Sequence, residues 1–169
     1  MTKTVKKGFT IVELLIVIVV IGILAAIVLV TYQGVQNKAN TTSAEQNARE
    51  LVTKATAFNA VATVYPTEAE LKAAKTDANE DVKEAKLSEK VAALLDNTNL
   101  PAGDNATNKK RVSYKVCKET GNNSRVGAVG IYWNYSDGKL AYVTGGETKG
   151  TDCDALKSAI DAGTAPTWP

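Results

Sequence analysis

A single carboxylate, Glu13, stands at the start of a long apolar stretch of the sequence. Ile11 and Val12 come before it, and the segment from Leu14 to Val30 contains no charged residue. An ionisable side chain within hydrocarbon costs roughly 2.5 kcal/mol or more on insertion scales. We therefore expect the Glu13 carboxylate to have a function that offsets the free-energy cost of placing it there.

The composition excludes several kinds of catalytic site. The chain has 169 residues and no histidine, so it lacks the commonest general base and the commonest metal ligand. Its net charge is +2, and three positive charges lie in the first seven residues, at Lys3, Lys6 and Lys7. The remainder has no basic excess of the kind that marks nucleic-acid-binding proteins. Hydrolytic triads and histidine-containing zinc sites are thereby excluded, and we expect no catalytic residue, cofactor or metal.

The apolar stretch is long enough to cross a bilayer. As a helix, Leu14 to Val30 would be about 26 Å long, and Ile11 and Val12 extend it to bilayer thickness. The lysines before it predict a cytoplasmic N-terminus and a translocated C-terminal part. The stretch continues into a polar, helix-forming sequence, whereas an ordinary secretory signal ends at a cleavage site of small residues.

The helix is predicted to continue well beyond the apolar stretch, from about Phe9 to about Val61. A narrow apolar stripe recurs at steps of four and three residues on one helical face: Ala44, Ala48, Leu51, Ala55, Phe58 and Ala62. We therefore expect residues 9–30 to be lipid-embedded and residues 31–64 to form an amphipathic half. Pro66 ends the helix, because proline disfavours helical geometry in the residue before it.

The rest of the chain predicts a helical insertion followed by a small antiparallel sheet. Residues 65–110 comprise the insertion and a loop. A capping box from Thr67 to Glu70 starts a helical region that runs to about Asp96, with a division near residues 76–79. Residues 111–169 contain three predicted strands (112–117, 126–135 and 140–144), a hairpin turn at 136–139 and a short helix at 152–162. The sequence thus predicts an α+β protein in which the stripe of the long helix covers one face of the sheet.

The two cysteines, Cys117 and Cys153, predict a disulfide. They are far apart in the sequence and lack metal-ligand spacing, and cysteines outside the membrane are normally oxidised in pairs. The bridge would stabilise the domain by about 3–4 kcal/mol. It would also tie the first strand to the C-terminal segment.

The start of the chain resembles the N-terminus of the type IV pilins. The same signature occurs in competence pilins and in the pseudopilins of secretion systems. The resemblance is carried by two segments, Gly8 to Val17 and Gly22 to Ile27, and it is close over residues 1–30. It implies the pilin fold, with a long N-terminal helix packed on a small antiparallel sheet.

The resemblance also implies how this N-terminus is processed and used. A prepilin peptidase would cleave between Gly8 and Phe9, remove the leader (residues 1–8) and N-methylate the amine of Phe9. The subunit would stay in the plasma membrane until the pilus assembly machinery extracts it into a helical homopolymer. In that filament the apolar segments form a central bundle and the sheet domains form the outer surface.

Within such a bundle, the resemblance gives Glu13 a partner. Its carboxylate would pair with the Phe9 amine of a neighbouring subunit, which would fix the axial register and offset the cost of a buried charge. Many pilins carry a proline near residues 28–30, where this chain has none. Gly22 is then the residue assigned to helix pliancy in the filament.

Three functions follow as alternatives. The first is a pilin subunit of a type IV pilus on the cell surface, which supports adhesion, motility or DNA uptake. The second is a pseudopilin of a secretion system. The third is a monomeric, membrane-anchored extracellular binding domain that keeps Met1. DNA and a host surface are candidate partners of the filament.

Four smaller features have a structural interpretation beside a functional one. The aromatic residues Tyr132, Trp133 and Tyr135 predict sheet core rather than a stacking surface for sugars or DNA. The basic run from Lys109 to Arg111 predicts a solvated loop rather than a contact with DNA or an anionic surface. Four Asn-x-Ser/Thr sequons are attributed to chance (Asn40, Asn105, Asn122 and Asn134), and four acidic residues are too scattered to predict a calcium site (Asp137, Glu147, Asp152 and Asp154).

Overall fold

The computed structural model describes residues 8–73, 85–101, 109–164 and 166. Its helices and strands are, in chain order, α1 (Ile11–Ala62), α2 (Glu68–Ala73), α3 (Glu89–Leu94), β1 (Ser113–Lys118), β2 (Arg125–Asn134), β3 (Lys139–Gly146) and α4 (Cys153–Asp161). The predicted α+β class, a long N-terminal helix with a small antiparallel sheet, is confirmed. The chain divides into two units, the first ending at Asn37 and the second beginning at Lys38.

In the first unit, α1 exposes large apolar side chains on every side. They are exposed from Phe9 to Val35, and the least exposed of them, Val20, still has 48% of its surface accessible. The hydroxyl of Thr31 donates to the carbonyl oxygen of Ile27 at 2.9 Å, so this polar group is satisfied within the helix. Among the described residues, α1 is the helix that is long and apolar enough to cross a membrane.

In the second unit, the strands form an antiparallel sheet in the order β1-β2-β3. Ile131 of β2 pairs with Ser113 on one side and with Tyr142 on the other, which defines the register. Residues 135–138 turn the chain between β2 and β3. There Gly138 adopts a φ of 65° and donates its amide to the carbonyl oxygen of Asn134 at 2.9 Å. The predicted hairpin turn thus needs glycine for its left-handed backbone.

Different helices cover the two faces of the sheet. Because side chains alternate along a strand, Ala128 and Tyr132 of β2 belong to one core, and Val129 and Ile131 belong to the other. The first core also contains the predicted stripe of α1: Ala44, Ala48, Leu51 and Ala55. The second core also contains two apolar residues of α4: Leu156 and Ile160.

Small residues let α1 lie close to the sheet. A Cβ atom added at Gly130 of β2 would lie 2.8 Å from the carbonyl oxygen of Ala48. A Cβ atom added at Gly145 of β3 would lie 2.6 Å from Cγ1 of Val52. A side chain at either position would force the helix and the sheet apart, so these two glycines set the distance between them.

The buried face of α1 differs from the predicted stripe at four positions. Asn47 and Val52 are buried although they lie outside the stripe. Phe58 and Ala62 are only half-buried although they lie within it. Gly130 and Gly145 leave space on the sheet for Val52, which reaches both of them. The helical period alone does not predict the burial of Val52, because it contains no information on the surface of the sheet.

The helical region predicted to run to Asp96 is interrupted before α3. Residues 86–88 are not helical, and Ser88 is the N-cap of α3, with its Oγ accepting from the amide of Val91 at 3.4 Å. The amide of Ser88 itself donates to Oε1 of Glu50 at 2.6 Å. The division predicted near residues 76–79 lies outside the described residues, as does the loop segment 102–108.

Cys117 and Cys153 form the predicted disulfide, with their Cα atoms 5.4 Å apart. Both residues are fully buried in the second core. The bridge joins β1 to the start of α4, and so ties the C-terminal helix to the sheet that it covers.

Candidate processing and assembly site

Reciprocal hydrogen bonds between Thr10 and Glu13 close the N-terminus of α1. The amide of Thr10 donates to Oε2 of Glu13 at 2.8 Å, and the amide of Glu13 donates to Oγ1 of Thr10 at 3.2 Å. The hydroxyl of Thr10 also donates to Oε2 of Glu13 at 2.7 Å. This arrangement is a capping box, with Thr10 directly before the first helical residue, Ile11.

The capping box fixes the position of the carboxylate at the end of the apolar segment. The first amides of a helix have no partner within it, and the helix dipole favours negative charge there. Both effects favour an acidic side chain in the first turn. Thr10 is a site residue that sequence reasoning missed, although the Thr-x-x-Glu pattern recognised at Thr67 also occurs here.

Gly8 and Phe9 lie before the first turn of α1. Both are exposed, and 87% of the surface of Phe9 is accessible. The peptide bond between them lies outside the helix, where an amide and a carbonyl are not engaged in helical hydrogen bonds. This geometry is compatible with cleavage between Gly8 and Phe9, and a cut there leaves the capping box of Thr10 intact. The leader lysines lie outside the described residues.

Gly22 lies inside α1, which is helical on both sides of it. A Cβ atom added at Gly22 would meet no other atom within 4 Å. Nothing in the single chain therefore requires glycine at this position. Small residues of this kind allow close contact between membrane helices, and such a contact would involve another copy of the chain or another protein.

The acidic residues near the disulfide bind backbone amides. Oδ1 of Asp152 accepts from the amide of Lys118 at 2.7 Å, and Oδ2 of Asp154 accepts from the amide of Gly150 at 2.6 Å. Among the described residues, no group of three or more His, Cys, Asp or Glu side chains is arranged to hold a metal ion. The structure therefore gives these two carboxylates a local structural function.

Three of the aromatic and basic residues singled out in the sequence contribute to the fold. Tyr132 is buried in the first core and Tyr135 packs against that core. Burial raises the pKa of both hydroxyl groups. Arg111 pairs with Asp96 at 3.1 Å, and hydrogen bonds from Thr98 hold the pKa of Asp96 below its ordinary value.

The sequons have different surroundings. The side-chain oxygens of Asn122 and Asn134 accept from the amides of Ser124 and Ser136, at 2.8 Å and 3.0 Å, and so stabilise turns. Asn40 is exposed on α1. Asn105 lies outside the described residues.

Comparisons with known proteins match short segments of the chain. The prokaryotic N-terminal methylation motif matches residues 3–29. The fimbrial protein EcpC of Eikenella corrodens is 67% identical over 33 residues, which are 20% of this chain and 22% of that protein. Two proteins of Moraxella bovis are 60% identical over 37 residues, or 22% of this chain: fimbrial protein Q, over 24% of its length, and the type IV major alpha-pilin, over 23%. No solved structure matches the chain.

The fold and the site define an α+β protein with a capped, membrane-length N-terminal helix. The N-terminal region carries the methylation motif, and the chain is similar over a short segment to fimbrial proteins and to a type IV pilin, in agreement with the resemblance stated from the sequence. The chain spans less than a quarter of the length of each relative that it matches. The methylation motif covers the segment that contains Gly8, Phe9, Glu13 and Gly22.

Proposed function

We propose that this chain is a pilin subunit, anchored in the plasma membrane by α1, that polymerises into a type IV pilus on the cell surface. The observation that carries the proposal is the exposed apolar part of α1, from Phe9 to Val35. Soluble monomers rarely expose an apolar patch larger than about 300–600 Å². A helix that is apolar on every side needs lipid or other apolar helices around it.

Lipid and a helix bundle both provide suitable surroundings for this segment. Before assembly its side chains would contact acyl chains, and in the filament they would contact the same segment of neighbouring subunits. Because lipid is already apolar, the bundle gains little from the hydrophobic effect, and packing between helices supplies the stabilisation. Gly22 would allow close approach and some pliancy within that bundle.

The charged groups at the N-terminal end of the apolar segment would set the axial register of subunits in the filament. Cleavage after Gly8 gives Phe9 a free amine, and N-methylation by the prepilin peptidase keeps its positive charge. Glu13 of one subunit would pair with this amine of the next. A buried ion pair adds more to specificity of position than to net stability, because desolvation offsets much of the attraction. The capping box supports this proposal, because it holds the carboxylate in the first turn of α1, four residues after Phe9.

The two alternative functions share part of this evidence. A pseudopilin of a secretion system has the same N-terminal signature, and the length of the filaments at the cell surface distinguishes it from a pilin. A monomeric anchored binding domain would share the membrane helix but would form no filament. Adhesion, motility and DNA uptake are then properties of the assembled pilus.

The substitution Glu13→Gln tests the pairing of charges. Glutamine also completes a capping box, so the variant keeps the helix N-terminus and loses only the charge. We expect normal membrane insertion and processing, but a loss of surface filaments of about tenfold or more, because the neighbouring amine is left unpaired in the bundle. Electron microscopy and immunoblots of sheared surface fractions measure this loss.

Glu45→Gln is the matched control on the same helix. Glu45 pairs with Arg49 at 2.6 Å on an exposed surface, and such pairs contribute about 0–1 kcal/mol. This variant should produce filaments as the wild type does. Normal piliation in Glu13→Gln would refute the proposed register, and equal losses in both variants would show that any change of charge on α1 disturbs assembly.

A further inference from the structure

A groove in the second unit combines polar, cationic and aromatic groups that the proposed function does not use. It encloses about 430 Å³, which is within the range of small-molecule sites. One wall is the second half of α1, and the other includes α3. Lys110 and Tyr135 complete its lining.

A polar side chain of α1 lines the groove. Asn47 is 8% exposed, and its amide offers two donors and an acceptor. Among the described residues, no buried side-chain nitrogen or oxygen lacks a hydrogen-bond partner, so this amide is not an unpaired buried group. A hydroxyl group bound in the groove would find both a donor and an acceptor at this position.

Further polar side chains of α1 extend the same surface. Asn40, Ser43 and Asn47 follow at steps of three and four residues, so they lie along one helical face. Amide and hydroxyl groups in such a row act as donors and as acceptors. This set suits a ligand that carries several hydroxyl groups.

The rim of the groove is positive. Lys90 and Lys110 are exposed, and neither forms an ion pair with another described residue. By contrast, the adjacent Arg111 is paired with Asp96 at 3.1 Å. No carboxylate lines the groove among the described residues. Two exposed ammonium groups beside the amide and hydroxyl groups of α1 favour a ligand with a negative charge.

Tyr135 adds an aromatic surface to the lining. Its ring is half-buried against the first core, and its hydroxyl is polar. A ring of this kind provides an apolar face with a polar end. Sugars present the complementary combination, since their C–H faces are apolar and their edges carry hydroxyl groups.

We propose that this groove binds a uronic acid, the carboxylated form of a sugar. The carboxylate lies between Lys90 and Lys110, the hydroxyl groups bind Asn47 and its neighbours on α1, and the sugar face rests on Tyr135. The proposal is independent of assembly, because all these residues belong to the second unit of a single chain.

Titration of the full-length chain in detergent micelles with glucuronate tests the proposal. The side-chain amide signals of Asn47 in nitrogen-15 NMR spectra report on the floor of the groove. We expect them to shift and to saturate with glucuronate. Glucose lacks the carboxylate and acetate lacks the sugar. Each should bind at least about tenfold more weakly than glucuronate. Absence of a shift with glucuronate, or equal binding of either control compound, would overturn the proposal.

Lysine variants test the site without disturbing the core. Lys110→Gln should weaken glucuronate binding by about two- to fivefold, as expected for one partly exposed charge pair. Lys109→Gln is the matched control, because the adjacent Lys109 does not line the groove. It should leave the affinity unchanged. Equal weakening in both variants would indicate general attraction to a basic surface and would contradict a defined site.

Discussion

The two parts of α1 place their apolar side chains in different ways. From Ile11 to Val35 the large apolar residues are exposed on every side. From Ala44 to Ala55 the apolar residues include three alanines, lie on one face and are buried against the sheet. The second part has its partner within the same chain, whereas the first part needs a partner outside it.

This difference explains why one continuous helix contains two kinds of sequence. The buried face uses alanine, because Gly130 brings the backbone of β2 close to Ala48. The exposed part uses isoleucine, valine and leucine around the whole helix, which suits lipid and identical helices equally well. Stability of the domain and stability of a filament should therefore depend on different parts of α1.

The largest effect is expected from truncating a leucine in each part. Leu51 is fully buried, and Leu51→Ala should lower the free energy of unfolding of the second unit by about 2–5 kcal/mol. Leu29 is 64% exposed, so Leu29→Ala should leave that free energy almost unchanged. Urea unfolding of the full-length chain in detergent measures both variants.

Filament yield gives the complementary result for the same pair. Leu29→Ala should reduce the number of surface filaments while its domain remains as stable as the wild type. A stability loss at Leu29 comparable to that at Leu51 would contradict the division of α1 into two parts.

A smaller effect is expected from adding a methyl group to a glycine. Gly130→Ala places a Cβ atom 2.8 Å from the carbonyl oxygen of Ala48, and should destabilise the second unit by about 1–3 kcal/mol. Gly34→Ala is the control, because no atom lies within 4 Å of the added carbon. This control should be neutral or gain up to about 1 kcal/mol in helix propensity. Urea unfolding midpoints measure both variants. An unchanged midpoint for Gly130→Ala would show that α1 lies farther from β2 than the structure indicates.

The smallest effect concerns the acid sensitivity of the second unit. Partial burial raises the pKa of Glu70, but hydrogen bonds from Arg125 and Thr67 outweigh it and hold the pKa below its ordinary value. The stability that this carboxylate contributes is therefore present above the pKa of an unfolded glutamate, about 4.3, and is lost as the pH falls through the lower pKa of the folded state.

Glu70→Gln should remove this part of the acid sensitivity. The wild type should be more stable than the variant at pH 7, by less than about 1 kcal/mol because the pair is partly exposed. The difference should shrink as the pH falls below about 4. Thermal unfolding between pH 3 and pH 7 measures it, with the exposed Glu89→Gln as a control. A difference that grows towards acid would contradict the lowered pKa.

Features set by neighbouring residues were predictable from the sequence. The long helix, predicted from Phe9 to Val61, extends from Ile11 to Ala62. The capping box at Thr67 forms, with the amide of Thr67 donating to Oε2 of Glu70 at 2.6 Å. Both follow from periodicity and from spacings of three or four residues, which a single sequence contains.

Features set by distant residues were not predictable in this way. Oγ1 of Thr41 accepts from the amides of Tyr135 and Ser136 at 3.0 Å and 3.2 Å, and so joins α1 to the β2–β3 turn. The burial of Val52 depends on two glycines in other strands. No local pattern contains such contacts, because they arise only when the chain has folded.

The candidate site was predicted from a resemblance rather than from periodicity. Gly8, Phe9 and Glu13 were identified in this way, and the methylation motif covers all three. The capping function of Thr10 was missed, although it depends on a local pattern. The proposed pairing of Glu13 would depend on a contact between two copies of the chain, which no pattern within one sequence contains.

The mature N-terminus of the protein tests the central claim most directly. Mass spectrometry of the chain isolated from cell membranes or from surface filaments identifies its first residue. We predict a chain that begins at Phe9 with an N-methylated amine. An uncleaved chain, or a chain that begins near Thr31 after removal of the apolar segment, would contradict the account.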